Sequence, residues 1–294
     1  MRLDQVGEAE LIRRLVPLLP ARGLVIGPGE DDAAAWKEAD GSFTVASADS
    51  SVESVHFDLG WQSPEDVGWR ALASALGDLA AKGARPSHGL VSISAPRDWD
   101  VEAVLGIYRG VAELAERVGL SVVGGDTTET PGPAVIAITV LGRTRTRPLP
   151  RSAAEAGWAL ALTGPLGAAA VALAARRSLR LEPRIAEGER LNALGLVCGD
   201  VSDGLLAELE KFRTMSGCGC EVKEELVPVA EGAGLEQALS SGEEAQLLCA
   251  GPPEVVGAAG LTVIGSLRGG GTVTLVDARG NPRPIAKGGY RHFA

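Results

Sequence analysis

The stretch that decides the fold is GLSVVGGDTT, which runs from Gly119 to Thr128. A short apolar run reaches Val123 and is followed by two glycines, which let another backbone or a ligand come close. The run is too short and too apolar for a solvated edge strand, so it predicts a buried strand that stops at Gly124. Asp126 then lies at the mouth of that strand, where ligands of α/β sheets usually bind.

The same pattern occurs at two other places in the chain. The apolar run Phe43–Ala46 leads to Asp49, and Leu194–Cys198 leads to Asp200. A single aspartate of this kind is usually a turn former or a helix cap. Three of them, each flanked by small residues, indicate a divalent-metal site to which the scaffold brings the carboxylates.

Length, composition and charge exclude several classes of protein. A length of 294 residues suggests two domains, and a hydrophobic content of 45% is enough for each to bury a hydrophobic core. The net charge of −10 and the scattered basic residues argue against nucleic-acid binding. An acidic protein can still bind an anionic substrate, provided that divalent cations stand between them.

Nothing in the chain predicts a membrane or secreted protein. The uncharged segment 158–175 is broken by Gly164-Pro165 and predicts a strand, a turn and an Ala-rich helix. The N-terminus has no apolar signal core, and the four cysteines lack the spacing of a zinc site. We therefore expect a cytoplasmic protein without membrane contact.

The segment Arg143–Arg151 contains four arginines and two prolines and predicts an interdomain linker. It divides the chain into an N-terminal domain (1–142), the linker (143–151) and a C-terminal domain (152–294). Both halves mix helical and strand patterns without strict alternation, which predicts an α/β fold with mixed sheets. Residues 181–188 are predicted as a loop, and Ser202 is predicted to cap a helix.

A helix is predicted from the cap Ser63 to about Lys82. One of its faces carries only small residues apart from a single charge, Asp78. A carboxylate on such a face can reach a ligand at close range.

The candidate metal ligands are all hard oxygen donors, which select Mg²⁺ or Mn²⁺ over zinc. Because Mg²⁺ usually shares its shell with substrate phosphates, the site suggests a nucleoside triphosphate as substrate. The sequence has no P-loop, Rossmann or nucleophile-elbow motif. The candidate ligands are Asp31, Asp49, Asp78, Asp126, Asp200 and Asp203.

Taken together, these motifs resemble those of thiamine-monophosphate kinases, and the resemblance covers nearly the whole chain. They occur in the same order as in that family. They are Asp31-Asp32-Ala-Ala34, Ser47-Ala-Asp49, Val52-Glu-Ser-Val-His-Phe57, Asp78-Leu-Ala-Ala-Lys-Gly-Ala84, Gly124-Gly-Asp-Thr-Thr128, Arg151-Ser152, Asp200-Val-Ser-Asp-Gly-Leu205, Gly242-Glu243 and the ending Gly289-Tyr-Arg-His-Phe293.

The resemblance implies the two-domain fold of aminoimidazole-ribonucleotide-synthetase-like proteins, with N-terminal domains that form a barrel in a homodimer. It implies transfer of a phosphoryl group from ATP to thiamine monophosphate, with several Mg²⁺ ions. By the same resemblance, Asp49, Asp126 and Arg151 are catalytic. The implied Mg²⁺ ligands are Asp31, Ser47, Ala48, Asp49, Asp78, Asp126, Asp200 and Asp203. The implied ATP contacts are Tyr108, Gly125, Asp126, Arg151 and Ser202, and the implied thiamine contacts are His56, Glu243 and Tyr290.

The chain departs from the family pattern at three places. Ala48 stands where relatives often carry a threonine, Glu30 is an extra acid, and the segment 242–247 lacks an aromatic and an acidic residue. The alternatives are a sibling ATP-using enzyme, such as aminoimidazole ribonucleotide synthetase or the hydrogenase-maturation dehydratase, and a nucleotide-binding module without catalysis. A metal-dependent phosphatase is a further alternative.

Overall fold

The structure is a computed structural model that describes residues 2–283, 289–290 and 292–293. These residues form helices and strands in both halves of the chain, without strict alternation. The helices are α1 (Glu8–Leu15), α2 (Pro64–Ala81), α3 (Val101–Val118), α4 (Ala168–Ala174), α5 (Ile185–Ala193), α6 (Leu205–Ser216), α7 (Leu235–Ser240) and α8 (Pro253–Ala258). The strands are β1 (Leu24–Ile26), β2 (Ala34–Lys37), β3 (Phe43–Val52), β4 (Arg85–Ala95), β5 (Ser121–Glu129), β6 (Val135–Thr144), β7 (Ala159–Leu162), β8 (Val197–Asp200), β9 (Gly219–Lys223), β10 (Leu247–Gly251), β11 (Thr262–Arg268), β12 (Val273–Val276) and β13 (Pro282–Arg283).

The strands form two mixed sheets, as the sequence predicted. In the described part of the chain, the first sheet has the order β1-β2-β3-β6-β4-β5, and its parallel pair is β4 with β5. The second has the order β13-β12-β9-β11-β7-β10-β8, and its parallel pair is β12 with β9. The first sheet ends at Thr144, two residues into the predicted linker, and the second begins at Ala159. The division at residues 143–151 stays a prediction.

Helix α2 forms where the sequence predicted it. The hydroxyl of Ser63 accepts a hydrogen bond from the Asp66 amide (3.1 Å), and Pro64 occupies the first turn. Leu72, Leu76 and Leu79 are completely buried against the first sheet. Each contributes roughly 1.5–3 kcal/mol of transfer free energy, so this stripe anchors α2 on the N-terminal half.

The small-residue face of α2 meets the C-terminal half. Ala80 and Ala81 belong to a buried cluster with Leu191 and Leu196. A side chain at Gly188 of α5 would lie 1.9 Å from the Ala80 carbonyl oxygen, so only glycine permits this approach. Helix α2 therefore lies between the two halves and carries Arg70, Ser74 and Asp78 into the cleft that separates them.

The prediction of a buried strand that stops at Gly124 is wrong. Strand β5 continues through both glycines to Glu129, and all nine of its residues are exposed. Within residues 2–283, 289–290 and 292–293 it is the edge of the first sheet and pairs with β4 alone. Its apolar pattern does not reveal its place in the sheet, since the position of a strand depends on distant pairing partners.

Two smaller predictions also fail. Part of the predicted loop 181–188 belongs to α5, because Pro183 precedes the helix and does not interrupt it. Helix α6 is capped by Gly204, with no side-chain hydrogen bond from Ser202. No helix in the described residues is long and apolar enough to cross a membrane, and the uncharged segment forms β7, a turn and α4.

Candidate functional site

Three carboxylates meet in the cleft between the two halves. Asp32 comes from the loop after β1, Asp78 from the last turn of α2, and Asp200 from the end of β8. One oxygen from each lies within 4.8 Å of the others. We call Asp32, Asp78 and Asp200 the carboxylate cluster.

The surroundings of the cluster raise the pKa of two of its members. Burial raises the pKa of Asp78 well above its usual range, and the charges of Asp200 and Asp32 raise it further. The pKa of Asp200 is raised by burial and by the charge of Asp32. The Ser47 hydroxyl donates a hydrogen bond of 2.5 Å to Asp78, whereas Oδ1 of Asp200 is buried without a partner among the described residues.

These observations fit a hard divalent cation. Carboxylates packed this closely repel one another unless a cation lies between them. A buried carboxylate oxygen without a hydrogen bond is costly, and a metal ion would satisfy it. The donor set consists of oxygen atoms, which suits Mg²⁺ or Mn²⁺.

Asp49 lies beside the cluster, in the middle of β3 and not at a strand end as predicted. Alternation along the strand places it on the same face as Ser47, which contacts Asp78. Its pKa is raised to about 6 by burial, and the charges of Asp200 and Asp203 contribute. Ala48 points to the opposite face, so its side chain has no route to the cluster.

The neighbouring residues Asp31 and Asp32 have different contacts in the structure. Asp31 was predicted as a ligand, but its carboxylate binds the Lys82 ammonium (2.7 Å) and the Arg151 guanidinium. It also accepts a hydrogen bond from the Arg151 amide (2.7 Å). Asp32, the next residue, also accepts a hydrogen bond from Arg151 (2.8 Å), but it lies beside Asp78 and Asp200 and joins the cluster. The acidic residue near Asp78 and Asp200 is therefore Asp32.

Arg151, predicted to contact ATP, is fully buried in a network of ion pairs. Its guanidinium donates to Asp31, to Asp32 (2.8 Å) and to both oxygens of Glu208 (2.6 and 2.9 Å). Burial raises the pKa of Glu208 to about 7, although the charge of Arg151 opposes this. In this structure Arg151 positions carboxylates and does not face the cleft, and its contact with ATP stays a prediction.

Lysines extend the network to both halves of the chain. The Lys82 ammonium is 1% exposed and also donates to the carbonyl of Cys198 (2.8 Å), two residues before Asp200. Lys211 lies 3.0 Å from Asp32 and 3.3 Å from Asp203. Burial raises the pKa of Asp32, but the charges of Arg151 and Lys211 outweigh it and hold that pKa well below its usual range.

Four residues of this arrangement were not predicted as site residues from the sequence: Asp32, Lys82, Glu208 and Lys211. Lys82 had a usable signal, since it follows Asp78 by one helical turn within the same motif. Glu208 and Lys211 are three residues apart on α6, where a charged pair normally predicts a solvated face. The burial of Glu208 could not be inferred from that pattern.

Asp126 does not join the carboxylate cluster within one chain. Its strand partner is Ser92, which pairs with Ala137, which pairs with Ser50. Paired residues share a face, so Asp126 points to the face opposite Asp49. Three strand spacings separate β3 from β5, about 14 Å at about 4.8 Å each.

Tyr108 and Gly125, two predicted ATP contacts, lie at this outer end of the sheet. The Tyr108 hydroxyl donates to the Val91 carbonyl (3.3 Å), and Val91 is the strand partner of Gly125. A side chain at Gly125 would overlap the same carbonyl, at 1.7 Å. The two residues are therefore neighbours, as expected for a shared subsite.

The three predicted thiamine contacts do lie together. The rings of His56 and Tyr290 are 6.1 Å apart, and Tyr290 is 4.9 Å from the His292 ring. Arg70 joins this group to Glu243, because its guanidinium donates both to the Glu243 carboxylate and to the His56 carbonyl (3.3 Å). Residues 284–288 and 291 lie outside the described part of the chain.

The carboxylate cluster and the aromatic group adjoin two connected pockets between the halves. One pocket is lined by Asp200, Ser202 and Gly77, by some residues between 177 and 184, and by apolar residues of α4. The other is lined by His56 and by residues of α2. This arrangement can hold an extended anionic molecule beside a cation.

The fold and this acidic cleft define the class of the protein. Residues 30–144 match the family model "AIR synthase related protein, N-terminal domain". The structure superimposes on that of AaThiL complexed with AMPPCP and TMP with a TM-score of 0.86, covering 99% of both chains at 27% identity.

Curated relatives narrow the assignment. The thiamine-monophosphate kinase of Methanopyrus kandleri is 34% identical over 301 residues, which is 94% of this chain and 93% of that protein. The thiamine-monophosphate kinase of Rhodopirellula baltica is 36% identical over 223 residues, 71% of this chain and 69% of that protein. The chain belongs to the thiamine-monophosphate kinase family.

Proposed function

We propose that this protein transfers a phosphoryl group from ATP to thiamine monophosphate, which yields thiamine diphosphate and ADP. The observation that carries the proposal is the interdomain cleft, where the carboxylate cluster lies beside the group formed by His56, Glu243 and Tyr290. A related structure holds AMPPCP, an ATP analogue, together with TMP. The fold, the cleft and the family agree with one another.

Mg²⁺ is the metal that the donor set favours. The ion would be held by Asp32, Asp78 and Asp200, and Asp49 lies beside them. Asp203 forms a salt bridge with Lys211, which also contacts Asp32. When bound, such ions neutralise the charge of the phosphates. Asp31 serves the ion-pair network in this proposal, and Ala48 contributes no side-chain oxygen.

The acceptor needs no strong general base. A phosphate monoester has a second pKa of about 6 and is mostly ionised at pH 7. The protein therefore has to bind and orient the two substrates and to exclude water. In the proposal Tyr108, Gly125 and Ser202 contact ATP, and Asp126, which lies on the opposite face of the sheet from Asp49, contacts ATP only from a second copy of the chain.

We also propose the homodimer that the family resemblance implies. Strand β5 is an exposed edge that contains Val123 (59% exposed), and Leu90 beside it is 40% exposed. Exposed apolar edges are usually covered, because they otherwise template aggregation. Asp126 lies on the same surface, so a second copy at β5 would place it inside an interface.

Light scattering coupled to gel filtration tests the dimer. We expect a mass of twice 30.2 kDa for the wild type and a monomer for Val123→Glu. A monomeric wild type would overturn this part of the proposal. The barrel, the cytoplasmic location and the domain boundaries stay predictions.

Mass spectrometry of the products tests the activity. The protein is incubated with ATP, Mg²⁺ and thiamine monophosphate, beside an EDTA control. Thiamine diphosphate and ADP are expected together and only with metal. ATP binding without product would favour the non-catalytic alternative, and phosphate release without thiamine diphosphate would favour a phosphatase.

A further inference from the structure

One ion pair lies where the two pockets of the cleft join. Among the described residues, those that line both pockets are Arg70, Ser74 and Glu243. Arg70 lies on α2 in the N-terminal half and Glu243 precedes β10 in the C-terminal half. Their side chains form a salt bridge across the cleft.

This salt bridge adds little to stability. The two side chains are 22% and 46% exposed, and partly exposed ion pairs contribute little because water and salt screen them. The pair can therefore separate at small cost when other partners enter the cleft. In contrast, the cations Lys82 and Arg151 are buried among fixed carboxylates.

The backbone around Glu243 holds its carboxylate in the cleft. Its φ of +59° is in the left-handed region, which is rare for a residue with a side chain. The Glu243 amide donates to the Ser202 carbonyl (2.7 Å). A side chain at Gly242 would lie 2.2 Å from that carbonyl oxygen, so the close approach requires glycine. Strain that the surroundings maintain in this way is typical of ligand sites.

The salt bridge matches the charges of the proposed acceptor. Thiamine monophosphate carries a phosphate anion at one end, a cationic thiazolium ring in the middle and an aminopyrimidine ring at the other end. Arg70 can bind phosphate oxygens through its planar fork, and Glu243 can face the cation. The rings of His56, Tyr290 and His292 stand beside this position and offer faces to a flat cationic ring.

We propose that the acceptor replaces the salt bridge: Arg70 binds its phosphate and Glu243 its cationic part, so that each side chain exchanges one partner for another. Arg70 is then a residue that selects phosphorylated thiamine over thiamine. The inference rests on the proposed function and adds to it the basis of acceptor recognition.

Calorimetric titrations with Mg²⁺ and without ATP test this exchange. The probes are thiamine monophosphate and thiamine, and the variants are Arg70→Gln and Glu243→Gln. Arg70→Gln is expected to weaken thiamine monophosphate binding about 10- to 100-fold, the value of a lost charge-assisted contact. Its affinity for thiamine should stay within about threefold. Glu243→Gln should weaken the binding of both compounds.

Arg268→Gln is the matched control, because Arg268 forms an exposed salt bridge with Glu221 on the second sheet. It should bind both compounds like the wild type. In kinetic assays Arg70→Gln should raise KM for thiamine monophosphate and leave KM for ATP unchanged, whereas a merely structural role would alter both.

The inference would be overturned if Arg70→Gln lost equal affinity for thiamine monophosphate and thiamine, or lost no affinity for either. A wild type that binds neither probe would overturn it too. A wild type that binds thiamine monophosphate but forms no thiamine diphosphate would overturn the kinase proposal and leave the recognition by Arg70 standing.

Discussion

Replacing Arg151 by methionine tests whether this residue positions carboxylates or binds nucleotide. Its guanidinium is completely buried and bonds Asp31, Asp32 and Glu208. Removing one partner of a buried ion pair costs about 3–5 kcal/mol, since the remaining charge is left uncompensated. The network spans both halves, so the loss should affect the whole molecule.

The expected shift in melting temperature follows from chain length. At about 2.1 cal/mol/K per residue, unfolding 294 residues has an entropy of about 0.6 kcal/mol/K. A loss of about 3–5 kcal/mol then lowers Tm by about 5–8 °C. Differential scanning calorimetry measures it. Arg151→Lys keeps the positive charge but loses the planar guanidinium that donates to several oxygens at once, so its Tm should fall less than that of Arg151→Met.

Arg85→Met is the matched control. Arg85 also pairs with an acid of the other half, Glu189 (3.1 Å), but it is 73% exposed. Arg85→Met should lower the free energy of unfolding by about 0–1 kcal/mol, which lowers Tm by less than about 2 °C. A Tm of Arg151→Met no lower than that of Arg85→Met would refute the positioning role. A raised KM for ATP at unchanged Tm in Arg151→Lys would instead support the predicted ATP contact.

Three further predictions concern the cleft. Asp200→Asn should lose most of the thermal stabilisation by Mg²⁺, which for the wild type is about 2.7 kcal/mol at 100 times Kd; an equal Mg²⁺ shift in variant and wild type would exclude Asp200 as a ligand. The pKa of Asp49 is raised to about 6 in the folded state, so the folded protein binds this proton more tightly than the unfolded chain does. The stability that this proton provides is complete below a pH of about 3.9 and is lost as pH rises through 6. Without metal, Asp49→Asn should therefore gain Tm relative to wild type between pH 4 and 7, and Mg²⁺ should reduce that gain; parallel pH profiles would contradict this. Gly242→Ala should raise KM for thiamine monophosphate more than KM for ATP, because a Cβ 2.2 Å from the Ser202 carbonyl oxygen must displace Glu243; unchanged kinetics would show that the position of Glu243 is unimportant.

The limits of the sequence analysis are clear at the acidic loop. Asp31 and Asp32 are adjacent and chemically identical, and Asp31 was predicted as a ligand. In the structure both carboxylates contact Arg151, but Asp31 also binds the buried Lys82, whereas Asp32 lies near Asp78 and Asp200. Side-chain direction in an irregular loop is set by distant partners, and no local pattern encodes it.

Arg151 shows the same limit for burial. In the sequence it ends a basic, proline-rich segment that is typical of a solvated linker. In the structure it is 0% exposed, because Asp31 and Glu208 come from elements 120 and 57 residues away and neutralise it. A buried arginine is recognised only through its partners, and these are not neighbours in the chain.

The sequence by itself determined what depends on local order. Periodicity and caps predicted α2, the apolar runs predicted strands in both halves, and the order of short motifs indicated the family. Tertiary structure alone decided which aspartate enters the carboxylate cluster, that β5 is an exposed edge, and that Arg70 and Glu243 meet across the cleft. The physical reason is range: hydrogen bonds within a helix and alternation along a strand link near neighbours, whereas burial and ion pairing join residues that only the folded chain brings together.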